Sequence, residues 1–253
     1  MTWCQALNFS YDGKKSVDYG IINVNYSTGL YEETFLPERN IIETKVRENK
    51  KPYFQGLEYS PLTLKLKFAF TDTWNDNKIR EIARWLGNQE YYKPLYFDND
   101  INRIFYCIYV GEPKIIHNGL KQGYLEIEMR CDSPYSYSSF YTSELYTSPA
   151  QIKITNGGDT SIYPEISITK IGAGDLSIVN QTNGNQEFKF TSLVDAESLY
   201  VDCENEYIET DLSGTYRYDN FNNNYLELVT GENTLNITGD CSIQFRYRFK
   251  LFQ

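Results

Sequence analysis

The end of the chain constrains its fold more than any other stretch. Cys241, Ile243, Phe245, Tyr247, Phe249 and Leu251 alternate with Ser242, Gln244, Arg246, Arg248 and Lys250. A period of two places the first set on one face of an extended segment and the second on the other, the pattern of a strand that buries one side of an antiparallel sheet. The alternation predicts a strand over Cys241–Phe252, so that the C-terminus is bound into a sheet and does not fray.

The rest of the second half follows the same style. Short apolar runs predict strands at Gln151–Thr155, Glu165–Lys170, Leu176–Val179, Glu187–Phe190, Ser198–Asp202, Tyr207–Glu209, Thr215–Tyr218, Tyr225–Val229 and Thr234–Ile237. Turn residues separate them, among them Asn156-Gly157-Gly158, Gly172-Ala173-Gly174, Asn183-Gly184-Asn185, Gly231-Glu232-Asn233 and Gly239-Asp240. No segment here has a helical period. Strands about ten residues apart with turn signals between them point to a β-sandwich or jelly roll.

The first half mixes strands with one helix. Asp12-Gly13 follows Leu7–Tyr11 as a hairpin turn signal, and Ile21–Tyr26 continues as a second strand. Residues 30–60 are irregular and charged, and predict an extended hairpin or arm. Leu62, Leu64, Leu66, Phe68 and Phe70 form the next alternating strand. A helix is predicted over residues 75–86. Thr73 or Asn75 would cap it, Ile79, Ile82, Ala83 and Leu86 form its apolar stripe, Trp85 flanks that stripe as packing, and Gly87 would end it in a left-handed conformation. Strands at 103–110 and 123–131 follow. Residues 132–150, rich in Ser, Tyr and Pro, read as a linker, which gives an N-terminal domain 1–133, a linker 134–150 and a C-terminal domain 151–253.

Charge supports that division. The chain carries 24 Lys and Arg against 34 Asp and Glu, but residues 1–133 hold 17 and 18 of them and residues 134–253 hold 7 and 16. The acidity therefore belongs to the second half. Such a surface does not bind a nucleic-acid backbone, which needs a basic footprint. The segment 1–20 lacks a basic start and a continuous apolar run, so the reading is of a soluble protein made in a cytoplasm, with no membrane partner.

The inventory of reactive groups is poor. Five cysteines, Cys4, Cys107, Cys131, Cys203 and Cys241, show no metal-finger spacing, and Cys107 and Cys131 lie in apolar strand runs as small buried hydrophobes of a reduced compartment. His117, the single histidine, lies in a hairpin-turn sequence and leaves little scope for a Ser-His-Asp or Cys-His arrangement. Glu126 and Glu128 share a strand face, side by side and not across a bond to be cleaved. The acidic stretch Asp202–Asp211 reads as a soluble loop before a calcium site. The expectation is no enzyme, with no catalytic, cofactor-binding or metal-binding residues.

Taken in order along the chain, these segments resemble the distal tail protein (Dit) family of long, flexible-tailed bacteriophages, in the type from phages of Gram-positive hosts. The residues that carry the resemblance are Phe9 to Gly13, Ser16 to Ile21, the helix core 79–86, Pro94 to Asp100, Arg130 to Tyr135, Asn156-Gly157-Gly158, Tyr163 to Ile166, Tyr200-Val201-Asp202 and Leu228 to Leu235. The resemblance implies a mainly β chain of two domains: an N-terminal β-sandwich with one α-helix and a long hairpin arm, and a C-terminal sandwich similar to galectins or carbohydrate-binding modules. It implies a homohexameric ring, single or stacked, at the virion tail tip. That ring would join the major tail tube protein to a tail fibre or tail-associated lysin, and DNA would pass through it. Near-neutral charge suits residues 1–133 to the ring interface, since six copies of the acidic half would repel one another. The competing expectation is a carbohydrate-binding adhesion module that contacts the host cell wall. All three Trp, at 3, 74 and 85, lie in the first half, so such a site in the second would rely on Tyr.

Overall fold

The structure is a computed structural model that describes residues 3–24 and 33–252. The chain divides into two units, residues 1–137 with 252–253, and Ser138–Leu251. Both are mainly β, and α1 below is the single α-helix among the described residues.

The first unit opens with β1 (Phe9–Tyr11) and β2 (Lys14–Lys15), joined through Asp12 and Gly13 at φ 51° and 73°. Two consecutive left-handed residues are what a two-residue hairpin turn requires. Then come β3 (Ile21–Asn23), β4 (Arg39–Thr44), β5 (Tyr53–Tyr59), β6 (Thr63–Phe70), α1 (Asp76–Gly87), β7 (Lys93–Phe97), β8 (Asp100–His117), β9 (Gly123–Cys131) and β10 (Ser136–Tyr137). The sheet runs β2-β1-β7-β8-β9-β6-β3, with β10 pairing β8, and all these pairings are antiparallel. The predicted strand Ile21–Tyr26 is strand over Ile21–Asn23, and its last two residues lie outside the described ones.

Aromatic stacking fills the core of this unit. The Phe9 ring stacks on Phe68 at 4.3 Å and on Trp85 at 5.7 Å, and Trp85 stacks on Tyr19 at 4.2 Å. Asn75 is the N-cap of α1, its side chain accepting from the Lys78 N–H at 2.9 Å. The buried side of the helix is Ile82, Trp85 and Leu86, while Ala83 is exposed. Trp85 thus sits at the centre of the packed side and not on its flank, because its indole Nε1 donates to the buried Tyr11 carbonyl at 2.8 Å. Gly87 does not adopt the left-handed conformation expected of it. The helix leaves through Asn88 at φ −100°, whose N–H donates to Arg84 O, and the Gln89 amide caps Trp85 O. With those carbonyls satisfied, a left-handed closure is unnecessary. The strand predicted over 103–110 continues to His117. The sequence Gly111-Glu112-Pro113 breaks the alternation, but the ladder resumes after a register shift between Val110 and Lys114, with Gly111 at φ 70°.

The second unit is one eight-stranded sheet built from β11 (Tyr141–Thr142), β12 (Tyr146–Asn156), β13 (Glu165–Lys170), β14 (Gly174–Asn180), β15 (Gln186–Leu193), β16 (Ser198–Asp202), β17 (Tyr207–Thr210) and β18 (Gly231–Tyr247). The order is β15-β14-β18-β13-β16-β17, with β12 and β11 along the other edge of β18. Ile166, Ile178, Phe190, Val201, Leu235, Ile243 and Phe245 are fully buried in its core.

β18 merges two predicted strands. Neither Gly231-Glu232-Asn233 nor Gly239-Asp240 interrupts it. Gly239, at φ 89°, lies where β18 leaves β14 as partner and takes up β13. A Cβ there would stand 2.2 Å from Asp175 O, so this glycine lets the strand pass without a turn. At the far end Phe249 leaves the ladder, its N–H bonded to Ser138 Oγ at 2.9 Å. The predicted strands Thr215–Tyr218 and Tyr225–Val229 do not form, and a 3-10 turn occupies Tyr218–Asn220. In the second segment Leu228 keeps a single backbone bridge to Ile162, and buried asparagines serve the backbone groups around it. Asn180 donates to Glu227 O, Asn156 donates to Leu228 O, and Asn233 both accepts from the Val229 N–H and donates to Val229 O. Residues 134–150, expected as a linker, are instead built into β10, β11 and the start of β12.

Candidate assembly interface

The feature that points outward is the hairpin β4–β5. It forms a two-stranded sheet of its own, with Ile41 opposite Leu57 and Glu43 opposite Phe54. Directly opposed residues share a face, so Ile41, Leu57 and Phe54 make one apolar row, with Ile42 on the reverse side. All are exposed: Ile41 at 63%, Phe54 at 67%, Leu57 at 41%, with Phe35 at 78% at the base of the arm. The loop at its tip carries Lys45, Arg47, Lys50 and Lys51. An isolated two-stranded hairpin is marginal in water, and clustered exposed apolar side chains mark contact surfaces. The arm expected over residues 30–60 is therefore present, and residues 30–32 of it lie outside the described ones.

Elsewhere in the first unit an apolar groove of about 340 Å³ runs beside α1, lined by Phe70, Ile79, Ala83, Leu86, Tyr109 and Ile115. The local pattern does not reveal it. Ile79 and Ala83 read as core on the helical stripe, yet they face this groove, because Trp85 takes the packed side. The polar face of the sheet is charge-compensated: Lys65 opposes Glu128, and Lys67 opposes Glu126, with Lys67 Nζ 3.9 Å from Glu126. The two glutamates thus face lysines across the ladder.

In the second unit a groove of about 390 Å³ lies on the sheet, lined by Ser167, Thr169, Ser198, Tyr200, Glu209 and Gln244 with neighbouring residues. Below the surface is a charged pair that sequence reading missed. Glu197 is buried, its side chain 0% exposed, and it holds Arg217 by two bonds of 2.7 Å, Nε to Oε1 and Nη2 to Oε2. Thr210 Oγ1 donates to Oε1 at 2.8 Å and the Val194 N–H donates to Oε2 at 3.0 Å. Burial by itself would raise the Glu197 carboxyl, but the Arg217 guanidinium and these two further donors outweigh it and hold the carboxyl below its ordinary range. No local signal announces a pair twenty residues apart.

The remaining candidates do not gather into one site. His117 is exposed at the β8–β9 turn, its Nδ1 3.1 Å from Asn118 O, with its ring edge-on to Trp74. Asp202 turns its carboxylate to the Glu204 and Asn205 N–H groups. Cys107, Cys131, Cys203 and Cys241 are buried thiols. Among the described residues no three His, Cys, Asp or Glu side chains gather as a metal site, and no helix is long and apolar enough to cross a membrane.

Comparison with known proteins places this architecture. Residues 4–133 match the model of a phage tail protein N-terminal domain, and residues 135–247 match that of a phage tail C-terminal domain. The SPbeta prophage-derived uncharacterized protein YomH of Bacillus subtilis (strain 168) is 31% identical over 245 residues, covering 96% of each chain. The crystal structure of the SPP1 Dit (gp 19.1) protein, described as a paradigm of hub adsorption apparatus in Gram-positive infecting phages, superposes with a TM-score of 0.72 at 15% identity. The match covers 97% of this chain and 100% of that one. The fold is therefore the distal tail protein fold that the sequence resemblance implies. With both halves matched, the chain belongs to the phage tail protein family defined by these N- and C-terminal domains.

Proposed function

We propose that this protein is the distal tail protein of its phage, a homohexameric ring at the tail tip, assembled in the host cytoplasm. In this reading it is the hub between the major tail tube protein and a tail fibre or tail-associated lysin. It acts by holding parts together and not by turnover, and DNA passes through the ring. One observation carries the reading: nearly the whole chain follows the fold of a protein described as a hub of the adsorption apparatus. The exposed arm adds to it. A closed ring needs a heterologous interface, with a different patch on each flank of the protomer, and the apolar row of β4–β5 supplies one flank from the near-neutral half of the chain.

Native mass spectrometry of the full chain, followed by particle images down the symmetry axis, tests this. A six-fold ring is expected. The double substitution Ile41→Asp and Phe54→Asp puts charge into the proposed contact and should leave folded monomers whose melting temperature matches that of unassembled wild type. A wild-type chain that stays monomeric at high concentration, and that antibodies do not find at tail tips, would refute the assignment.

A second role, adhesion to cell-wall saccharide, is supported by one observation, the groove that sets Tyr200 beside Ser167, Thr169, Gln244 and the carboxylates of Glu209 and Asp211, with apolar neighbours between them. Titrating the full chain with host polysaccharide tests it. Binding lost on Tyr200→Ala supports a sugar site, whereas no heat and no shift at millimolar saccharide rejects it.

A further inference from the structure

We propose that Cys107 and Cys131 are a latent cross-strand disulfide, which closes by oxidation after the protein leaves the reducing cytoplasm. The two residues stand directly opposite each other, Cys107 on β8 and Cys131 on β9. Hydrogen bonding shows which kind of rung they occupy. The Cys131 N–H donates to Leu62 O at 2.7 Å, away from β8, while the next rung is bonded through the Asp132 N–H to Tyr106 O at 2.8 Å. The Cys107 carbonyl accepts from the Tyr11 hydroxyl at 3.1 Å. Cys107 and Cys131 therefore form a non-hydrogen-bonded pair. At such rungs the Cα atoms approach to about 4.5 Å, with the side chains at their closest, and a disulfide spans Cα separations of roughly 4.4–6.8 Å. Both side chains point into the core and are 0% exposed. That Cα separation falls at the short end of the range, so closing the bond asks chiefly for side-chain rotation. Cys241, by contrast, lies opposite Ser148 and Lys170 in its ladders.

The chemistry balances with hydrogen peroxide, a small neutral oxidant, as electron acceptor. One thiol gives up its proton, and its thiolate attacks a peroxide oxygen. The O–O bond breaks, leaving a sulfenic acid and a hydroxide that takes that proton to become water. The second sulfur then displaces the hydroxyl from the sulfenic sulfur, and its own proton leaves with that hydroxyl as a second water. Two thiols and one peroxide become one disulfide and two waters. Burial, above all, pushes the Cys131 thiol up to about 12 and raises Cys107 well above its ordinary value. Thiolate is therefore scarce, and closure is slow. Slow closure suits a particle that spends its assembly in a reducing compartment and its working life outside it. The inference stands whether or not the ring reading holds.

The test uses the full chain, reduced, freed of reductant, exposed to hydrogen peroxide, quenched, denatured and alkylated. Of the five cysteines, three should alkylate after peroxide and five before it. Peptide mapping should recover one reducible cross-link joining Cys107 to Cys131, and the oxidised protein should melt several degrees above the reduced form. In Cys131→Ala no cross-link to Cys107 should form. Mapping of the wild type decides the matter even where that variant fails to fold. All five thiols still alkylating while an exposed control thiol is consumed, or Cys107 and Cys131 recovered as sulfinic acids or joined to other cysteines, would overturn the proposal.

Discussion

Replacing Arg217 with Met should be among the most damaging single changes to the second unit. In the wild type the Glu197 carboxylate accepts from Arg217 Nε and Nη2 at 2.7 Å each, from Thr210 Oγ1 at 2.8 Å and from the Val194 N–H at 3.0 Å. The Met variant keeps the last two donors and loses the only cation, leaving a charge with a fully buried side chain uncompensated. Breaking a buried pair in this way costs about 3–5 kcal/mol. For a unit the size of Ser138–Leu251, that is a fall of about 10–20 °C in melting temperature. Replacing both partners by Met removes the stranded charge, so the double variant should recover to within about 1.5 kcal/mol of wild type. The pH dependence has a definite sign. The wild-type carboxyl is held below its unfolded value, so its contribution is present above the ordinary carboxylate range and is lost as the pH falls through the folded value. In Arg217→Met, burial raises the carboxyl instead, so the deficit against wild type is largest near neutrality and shrinks on acidification. Calorimetry of wild type, single and double variants at neutral pH and near pH 4 measures all of this. A single variant within 1 kcal/mol of wild type, or a double variant as unstable as the single, would refute the reasoning, since either result means that the pair is hydrated.

Two further substitutions probe the sheets. Trp85→Phe removes the 2.8 Å bond to Tyr11 O while keeping a ring against Phe9 and Tyr19. It should cost about 1–3 kcal/mol, read as a lower urea midpoint at unchanged slope. Gly239→Ala brings a Cβ within 2.2 Å of Asp175 O at φ 89°. It should destabilise by more than about 2 kcal/mol in thermal melts, whereas a neutral effect would mean that β18 turns there as the sequence alone implies.

What the sequence reveals and what it hides divide along one physical line. Period-two alternation is a property of neighbouring residues, and it correctly marks Leu62–Phe70, the face Leu125, Ile127, Met129, Cys131, and most strands of the second half. Turn chemistry at Asp12-Gly13 and capping at Asn75 are equally local. The failures come where a distant group supplies what the local pattern lacks. Thr215–Tyr218 and Tyr225–Val229 look like strands. In the second of these the pairing shrinks to one bridge, Leu228 to Ile162, and side chains of Asn156, Asn180 and Asn233 serve the backbone groups beside it. Gly239-Asp240 looks like a turn, but its glycine instead admits the Asp175 carbonyl. Of the helical stripe Ile79, Ile82, Ala83 and Leu86, the second and fourth residues are buried as the period implies, but no local rule says that Trp85 finds Tyr11 O seventy-four residues away and takes the centre of that side. Of the candidate assembly surface, the existence of the arm is legible in the sequence. The register that aligns Ile41, Leu57 and Phe54 on one face is not, since it depends on a bulge between Ile42 and Glu43.

If the arm is the ring contact proposed above, it also constrains how assembly would proceed. A two-stranded ribbon with Ile41 63% and Phe54 67% exposed buries too little apolar surface to offset the backbone entropy of ordering some twenty residues, at about 1–2 kcal/mol each. Alone, β4–β5 is at the edge of stability; covered, its apolar row contributes what the free chain lacks. Under the proposed ring, ordering of the arm and binding of a neighbouring copy would be one equilibrium, whose midpoint depends on protein concentration. The same reasoning fits the near-zero net charge of the first half. A contact that starts from a marginal hairpin has little free energy to spare against like-charge repulsion, and residues 1–133, with 17 basic and 18 acidic side chains, impose almost none.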